Sequence, residues 1–271
     1  MNKLGKLGGT AALAVAVLAT LLPLYWLATL SLKREVDQFA VPPLWVSFQP
    51  TWAHYSDIFV NRNFGRYLWN SAVAASVSTL LALAMGTAAA YSLARRPRPG
   101  LAFWILSTRM FPPVVSIVPL FLMLRWAGLL DSIAALMLLY TAFNLPFVVW
   151  MMRGFFQELP PDLEEAAMMD GQTRLGALWR VVLPLVRPAL AATAAFCLVI
   201  AWNEFLFALI VAQTDQAMTL PVGIAGRVTQ YEIKWGAMSA AGVVAMLPVF
   251  LFAALMQKHM VRGLSLGAVK G

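Results

Sequence analysis

Six stretches of this chain are long and apolar enough to cross a lipid bilayer, and that requirement governs every other reading of the sequence. A span needs about 20 apolar residues to cross roughly 30 Å of hydrocarbon. Residues 7–32, 67–94, 132–152 and 235–257 carry no charged side chain, while 101–124 carry only Arg109 and 188–214 only Glu204. Composition agrees: 61% of residues are hydrophobic and 12% charged, where soluble domains show roughly 45–50% and 25%. A soluble domain of 271 residues has too little interior to hide that surface. The chain reads as one all-α polytopic membrane domain over residues 1–271, with six transmembrane helices. Lys3 and Lys6 precede the first run as in a secretory signal. The run exceeds a signal core of about 7–15 residues, so it reads as a retained anchor. Membrane lipid is therefore an expected partner.

Charge sets the expected orientation, because cytoplasmic loops carry an excess of Lys and Arg. With the N-terminus inside, the inner side holds Lys3, Lys6, Arg95, Arg96, Arg98, Arg153, Arg174, Arg180, Arg187, Lys258, Arg262 and Lys270. The outer side holds Lys33, Arg34, Arg62, Arg66, Arg125, Arg227 and Lys234. That places both termini in the cytoplasm, with residues 258–271 as a cytoplasmic tail. The net charge of +8 is thus topological; no basic stripe with interleaved aromatics points to nucleic acid. Trp45, Trp52, Tyr55 and Tyr231 lie in the outer loops, suited to an interfacial belt or a docking surface. Cys197 is the single cysteine and reads as a packed core thiol.

The longest inner loop, 153–187, contains the stretch LEEAAMMDGQTRLGALWRVVLPLVRPAL at 163–190, whose chemistry reads as two short helices. Pro160 and Pro161 suit a first turn, and Asp162, Glu164 and Glu165 place negative charge beside the positive helix end. Ala166 and Ala167 are small enough for another backbone to approach, and Gly171 suits a left-handed helix end. Leu175, Leu178, Trp179 and Val182 then give one apolar face at helical spacing, which Pro184 is expected to end. Such a pair is either a plug for a groove on another protein or an amphipathic segment lying on lipid.

The residues Glu165, Ala166, Ala167, Gly171, Val181, Leu183 and Pro184 resemble the EAA loop of bacterial ABC importer permeases: Glu-Ala-Ala, three residues, Gly, nine residues, an aliphatic, one residue, Leu-Pro. Val181 stands where Ile is common. The stretches 67–96, 110–132 and 201–209 and the tail RGLSLGAVKG at 262–271 are similar to the maltose-permease G-type branch. The resemblance implies the type I ABC importer permease fold and sugar import. It also implies a second, F-type permease subunit, an ATPase dimer at the inner face and an extracytoplasmic solute-binding protein. It makes 153–187 a coupling loop, with Glu165, Ala166, Ala167, Asp170, Gly171, Leu183 and Pro184 as the ATPase-coupling set. Gly263, Gly267 and Lys270 in the tail would contact the same partner. ATP and Mg would be bound by that ATPase, with no cofactor in this chain, and the localisation implied is the bacterial inner membrane.

The chain itself has no phosphate-binding G-x-x-x-x-G-K-[ST] loop and no H-E-x-x-H, and His54 and His259 lie far apart in sequence. It reads as neither an ATPase nor any other enzyme, and no metal site is expected. Arg109 and Glu204 are functional candidates because charge inside hydrocarbon is costly. Arg109 lies about 12 Å into its span at 1.5 Å per residue, within snorkelling reach of the surface. Glu204, with Asn203 beside it, either meets a polar solute or latches onto a neighbouring span. A permease for polyols or glycerol phosphates is the near alternative. A secondary transporter, which requires internally repeated halves, is the distant one.

Overall fold

The structure is a computed structural model describing residues 3–60, 63–226 and 233–266. It is built of helices: α1 (Lys3–Leu32), α2 (Glu35–Gln38), α3 (Ala53–Val60), α4 (Phe64–Arg95), α5 (Pro99–Ser107), α6 (Pro113–Trp126), α7 (Ile133–Glu158), α8 (Asp162–Met169), α9 (Arg174–Ala177), α10 (Leu183–Leu185), α11 (Arg187–Trp202), α12 (Leu206–Val211), α13 (Leu220–Ala225) and α14 (Trp235–Leu266). Among the described residues there is no strand; a bridge joins Lys33 and Pro50.

Four helices are individually long and apolar enough to span: Gly9–Leu32, Phe64–Arg95, Ile133–Glu158 and Trp235–Ala254. Counting each of two bent helix pairs as one span brings the number to six. The expected third span is one of them, broken by 93° between Pro99–Met110 and Pro113–Trp126. Its cause is local. A residue before proline is pushed out of the helical region, and Phe111 and Pro112 both take extended ψ values, 128° and 127°. The fifth differs too: helix runs from Arg187 to Trp202, stops at Asn203, and resumes for Leu206–Val211. α11 is joined at 77° to the loop helices before it. α7 continues six residues past the expected end at 152, carrying Arg153 inside the helix.

The chain divides into two compact units. The first comprises residues 1–65 and 223–248. In it Lys33 is fully buried, its ammonium 4.0 Å from the centroid of the Trp26 ring and 5.3 Å from that of Phe48. Burial pushes this amine below the ordinary lysine range, against the raising effect of Asp37. His54 lies 2.8 Å from the Lys33 carbonyl. A Cβ on Gly236 would fall 2.2 Å from that imidazole, so any larger residue would have to displace it.

The second unit comprises residues 66–222 and 249–271. Its core joins Ala82 and Ala90 of α4, Val148, Met152 and Phe156 of α7, Leu178 and Val182 of the loop, and Ala189 and Cys197 of α11. A Cβ on Gly86 would sit 2.7 Å from a Val148 methyl. The small residue therefore sets how closely α4 and α7 approach, the usual means of packing spanning helices. Asn144 donates to the Cys197 carbonyl at 3.2 Å, tying α7 to α11. Cys197 is buried and unpaired, as its position in an apolar run implies.

Candidate functional site

The loop between α7 and α11 forms a second layer against the ends of α4 and α7. α8 begins as its acids require, with Asp162, Glu164 and Glu165 in its first turn, where the helix dipole favours negative charge. It ends at Gly171, whose φ is +83°. The Gly171 N–H bonds the Met168 carbonyl and the Gln172 N–H the Ala167 carbonyl, both at 3.0 Å. This paired closure needs a left-handed residue, so the glycine is a requirement of the turn. Thr173 then caps α9, accepting from the Gly176 N–H at 3.1 Å.

Adjacent residues on a helix point about 100° apart, so Glu164 and Glu165 cannot share a face. Glu164 is buried, 7% exposed. Its Oε2 accepts from the Tyr91 hydroxyl at 2.6 Å and its Oε1 from Arg95 Nε at 2.6 Å. Arg95 also donates through Nη1 to the Leu159 carbonyl at 3.2 Å, so one guanidinium holds α8 and the end of α7 together. Tyr91 and Arg95, four apart on α4, lie on one helix face. Glu165 and Ala166 are exposed on the opposite side, with Met169, Asp170 and Gly171 beside them. The Glu165 side chain has no hydrogen bond or ion pair among the described residues.

The expected coupling set is thereby split. Ala167 is 8% exposed and packs into its own chain, so the small surface offered outward is Ala166. Leu183 packs against the unit's core, and Pro184 is half-buried. Pro184 does not end the second helix. The chain passes through a π turn, Leu178–Val182, in which the Leu183 N–H bonds back to Leu178. It then continues to Leu185 before bending at Val186. Leu178 and Val182 are buried while Leu175 and Trp179 are 68% and 69% exposed. The apolar face expected of these four is divided between core and surface. Met169 is also exposed, at 88%, which spacing alone did not reveal. Glu164, Tyr91 and Arg95 were also missed, although the adjacent acids and the Tyr-x-x-x-Arg spacing carried the signal.

The charged candidates in the spans lie elsewhere. Glu204 stands in the break between α11 and α12, where its carboxylate accepts from the N–H groups of Phe207, at 3.0 and 3.2 Å, and Ala208, at 3.2 Å. It thus caps α12, supplying acceptors to donors that have no water to turn to. Tyr140 of α7 faces Glu204 and Thr219, its buried hydroxyl closing no hydrogen bond of good geometry. Asn203 is exposed and donates to the Val199 carbonyl at 2.8 Å. Arg109 is exposed at the bend of the third span, 5.6 Å from the Phe147 ring centroid. It forms no ion pair with Glu204 among the described residues. In the tail, Gly263 lies within α14, which extends to Leu266. Gly267 and Lys270 lie outside the described residues, as do Arg62, Arg227 and Tyr231.

A polytopic helical chain with a short helix pair clamped onto its spanning helices has the form of a transporter membrane subunit. Residues 78–266 match the family described as binding-protein-dependent transport system inner membrane component, and the chain belongs to that family. It is 38% identical over 263 residues to the sulfoquinovosyl glycerol transport system permease protein SmoH of Agrobacterium fabrum, covering 96% of this chain and 92% of that one. It is 36% identical over 257 residues to the trehalose/maltose transport system permease protein MalG of Thermococcus litoralis, covering 93% and 92%. Its fold is similar to that in a crystal structure of a bacterial ABC transporter involved in import of the acidic polysaccharide alginate. The TM-score there is 0.78 at 23% identity, over 95% of this chain and 98% of that chain. The architecture is the type I ABC importer permease fold, and the chain is an ABC permease subunit of the inner membrane.

Proposed function

We propose that this chain forms half of the translocation path of an ATP-driven carbohydrate importer, beside a second homologous permease subunit, and receives solute from an extracytoplasmic binding protein. The exposed face of α8, Glu165, Ala166, Asp170 and Gly171, seats in a cleft of a partner ATPase that binds ATP and Mg. Leu183 and Pro184 support it from behind, and Gly263, Gly267 and Lys270 lie in a tail directed to the same partner. Both termini lie in the cytoplasm, as the Lys and Arg distribution favours. Asn203, Glu204 and Arg109 are the polar groups nearest a path. The single observation that carries the reading is the opposite fate of two neighbouring acids. Glu164 is fixed to Arg95 at 2.6 Å while Glu165 is left exposed and without a partner of its own. A helix clamped on one face and offered on the other is built to receive force from outside the chain.

Relatives named for trehalose/maltose, sulfoquinovosyl glycerol and diacetylchitobiose support a glycoside as the transported class. The test is uptake of labelled trehalose and maltose into proteoliposomes holding the full-length chain with its co-expressed transport subunits and binding protein. Uptake should require ATP inside and persist when ion gradients are collapsed. Uptake driven by an ion gradient without ATP would instead make the chain a secondary transporter.

A further inference from the structure

Within the second unit a cavity of about 260 Å³ lies between α5 and α7, lined by Pro99, Ala102, Phe103, Leu106, Pro146, Val149, Trp150 and Arg153. Its polarity is ordered along its length. From Pro99 to Leu106 on α5, and from Arg153 back to Pro146 on α7, seven residues correspond to about 10 Å of helix. The α7 edge runs from Arg153 at one end to apolar Val149 and Pro146 at the other. At the first end the half-buried Arg153 side chain lines the groove. The remaining lining is aliphatic, aromatic and proline.

We propose that this groove is a binding site for an anionic phospholipid, with the phosphate on Arg153 and part of one acyl chain against Phe103, Leu106, Pro146 and Val149. The occupant follows from complementarity. A half-buried guanidinium beside an apolar lining favours an anion over a neutral ligand, and guanidinium is well matched to phosphate oxygens. A carbohydrate does not fit, because the lining offers its hydroxyls one guanidinium and one indole N–H, both donors, and no side-chain acceptor. The size agrees, since the cavity is smaller than the roughly 300–1,000 Å³ of ordinary small-molecule pockets and suits a chain segment. Trp150, one turn from Arg153 and 55% exposed, suits the headgroup level where tryptophan concentrates in membrane proteins. The proposal rests on the membrane-spanning reading of α5 and α7 and not on the identity of the transported solute.

The test uses the full-length chain with its co-purifying subunits, reconstituted in nanodiscs of equal phosphatidylglycerol and phosphatidylcholine, then stripped in mild detergent. Retained lipids are counted by native mass spectrometry. The expected result is one tightly held phosphatidylglycerol per chain, at least tenfold preferred over phosphatidylcholine. Arg153→Gln should abolish the preference and Arg153→Lys should keep part of it. Ala102→Phe, which fills the groove without touching the cation, should displace the lipid in an otherwise intact protein. Millimolar inorganic phosphate should not compete. Equal retention of both lipids, a preference that survives Arg153→Gln and Ala102→Phe, or displacement by inorganic phosphate would overturn the proposal. So would efficient disulfide capture of Ala102→Cys by a co-purifying subunit, which would show the groove covered by protein.

Discussion

Two sheltered acids, Glu164 in the loop and Glu204 in the fifth span, are neutralised by opposite means. Glu164 finds its partners on another helix, Tyr91 and Arg95, each at 2.6 Å. Glu204 finds its partners in its own next turn, as the backbone donors of Phe207 and Ala208. A cation brought to Glu204 would itself need removal from water, whereas the donors of a broken helix are already there and unsatisfied. At the water-facing end of α4 an arginine is tolerable and adds a long-range tie. The loop acid therefore fixes tertiary position, and the span acid fixes local backbone.

The largest expected effect breaks the loop side of this comparison. Glu164→Arg places two cations together at a largely buried site and should destabilise the loop by about 3 kcal/mol, with uptake reduced at least tenfold. The paired exchange Glu164→Arg with Arg95→Glu should recover more than half of the lost thermal stability and uptake. No recovery would mean that the pair's attraction does not hold α8. Next comes Gly171→Ala, which forces a side chain into the left-handed region at a cost of about 1–2 kcal/mol. Limited proteolysis should then cut the loop faster while the spanning helices stay protected.

On the span side, Glu204→Ala removes the acceptors for α12 and should cost about 1–2 kcal/mol. Glu204→Gln keeps one acceptor and should assemble normally with uptake lowered a few-fold. Parental uptake by Glu204→Gln would confine the residue to capping. The smallest stability effect belongs to Glu165→Ala, within about 0.5 kcal/mol as for an exposed side chain. Yet ATP consumed per solute imported should rise several-fold. A large drop in melting temperature would show that Glu165 is part of the scaffold.

The distribution of successes along the chain follows from physics. Spans were legible because hydrocarbon demands long apolar runs, and the ends of α8 because Pro161, the first-turn acids and Gly171 act within one helix. The break at Phe111 and Pro112 was marked by the Pro112–Pro113 doublet. Its 93° size depends on how α6 packs, which no local rule supplies. Spacing put Leu175, Leu178, Trp179 and Val182 on one face, yet Leu175 and Trp179 are exposed while Leu178 and Val182 are buried. In α8 the sequence offered Ala166 and Ala167 alike and gave Glu164 no partner, and the structure buries Ala167 and Glu164. A one-residue step on a helix decides between core and surface, and only the partner on α4 fixes which residue points inward.

The central claim is that α8 offers Glu165 and Ala166 outward to an ATPase while Glu164 and Ala167 face inward. Replacing Cys197 by Ala leaves a chain without cysteine, and single cysteines can then be placed at Ala166 or Ala167. Disulfide formation requires Cα atoms within about 7 Å, so crosslinking in membranes to a cysteine in the ATPase cleft measures contact directly. Ala166→Cys should crosslink efficiently and to an extent that changes with ATP, and Ala167→Cys should crosslink weakly. Equal capture at both positions, or labelling of Ala166→Cys only by lipid-soluble reagents with no ATPase product, would contradict the assignment.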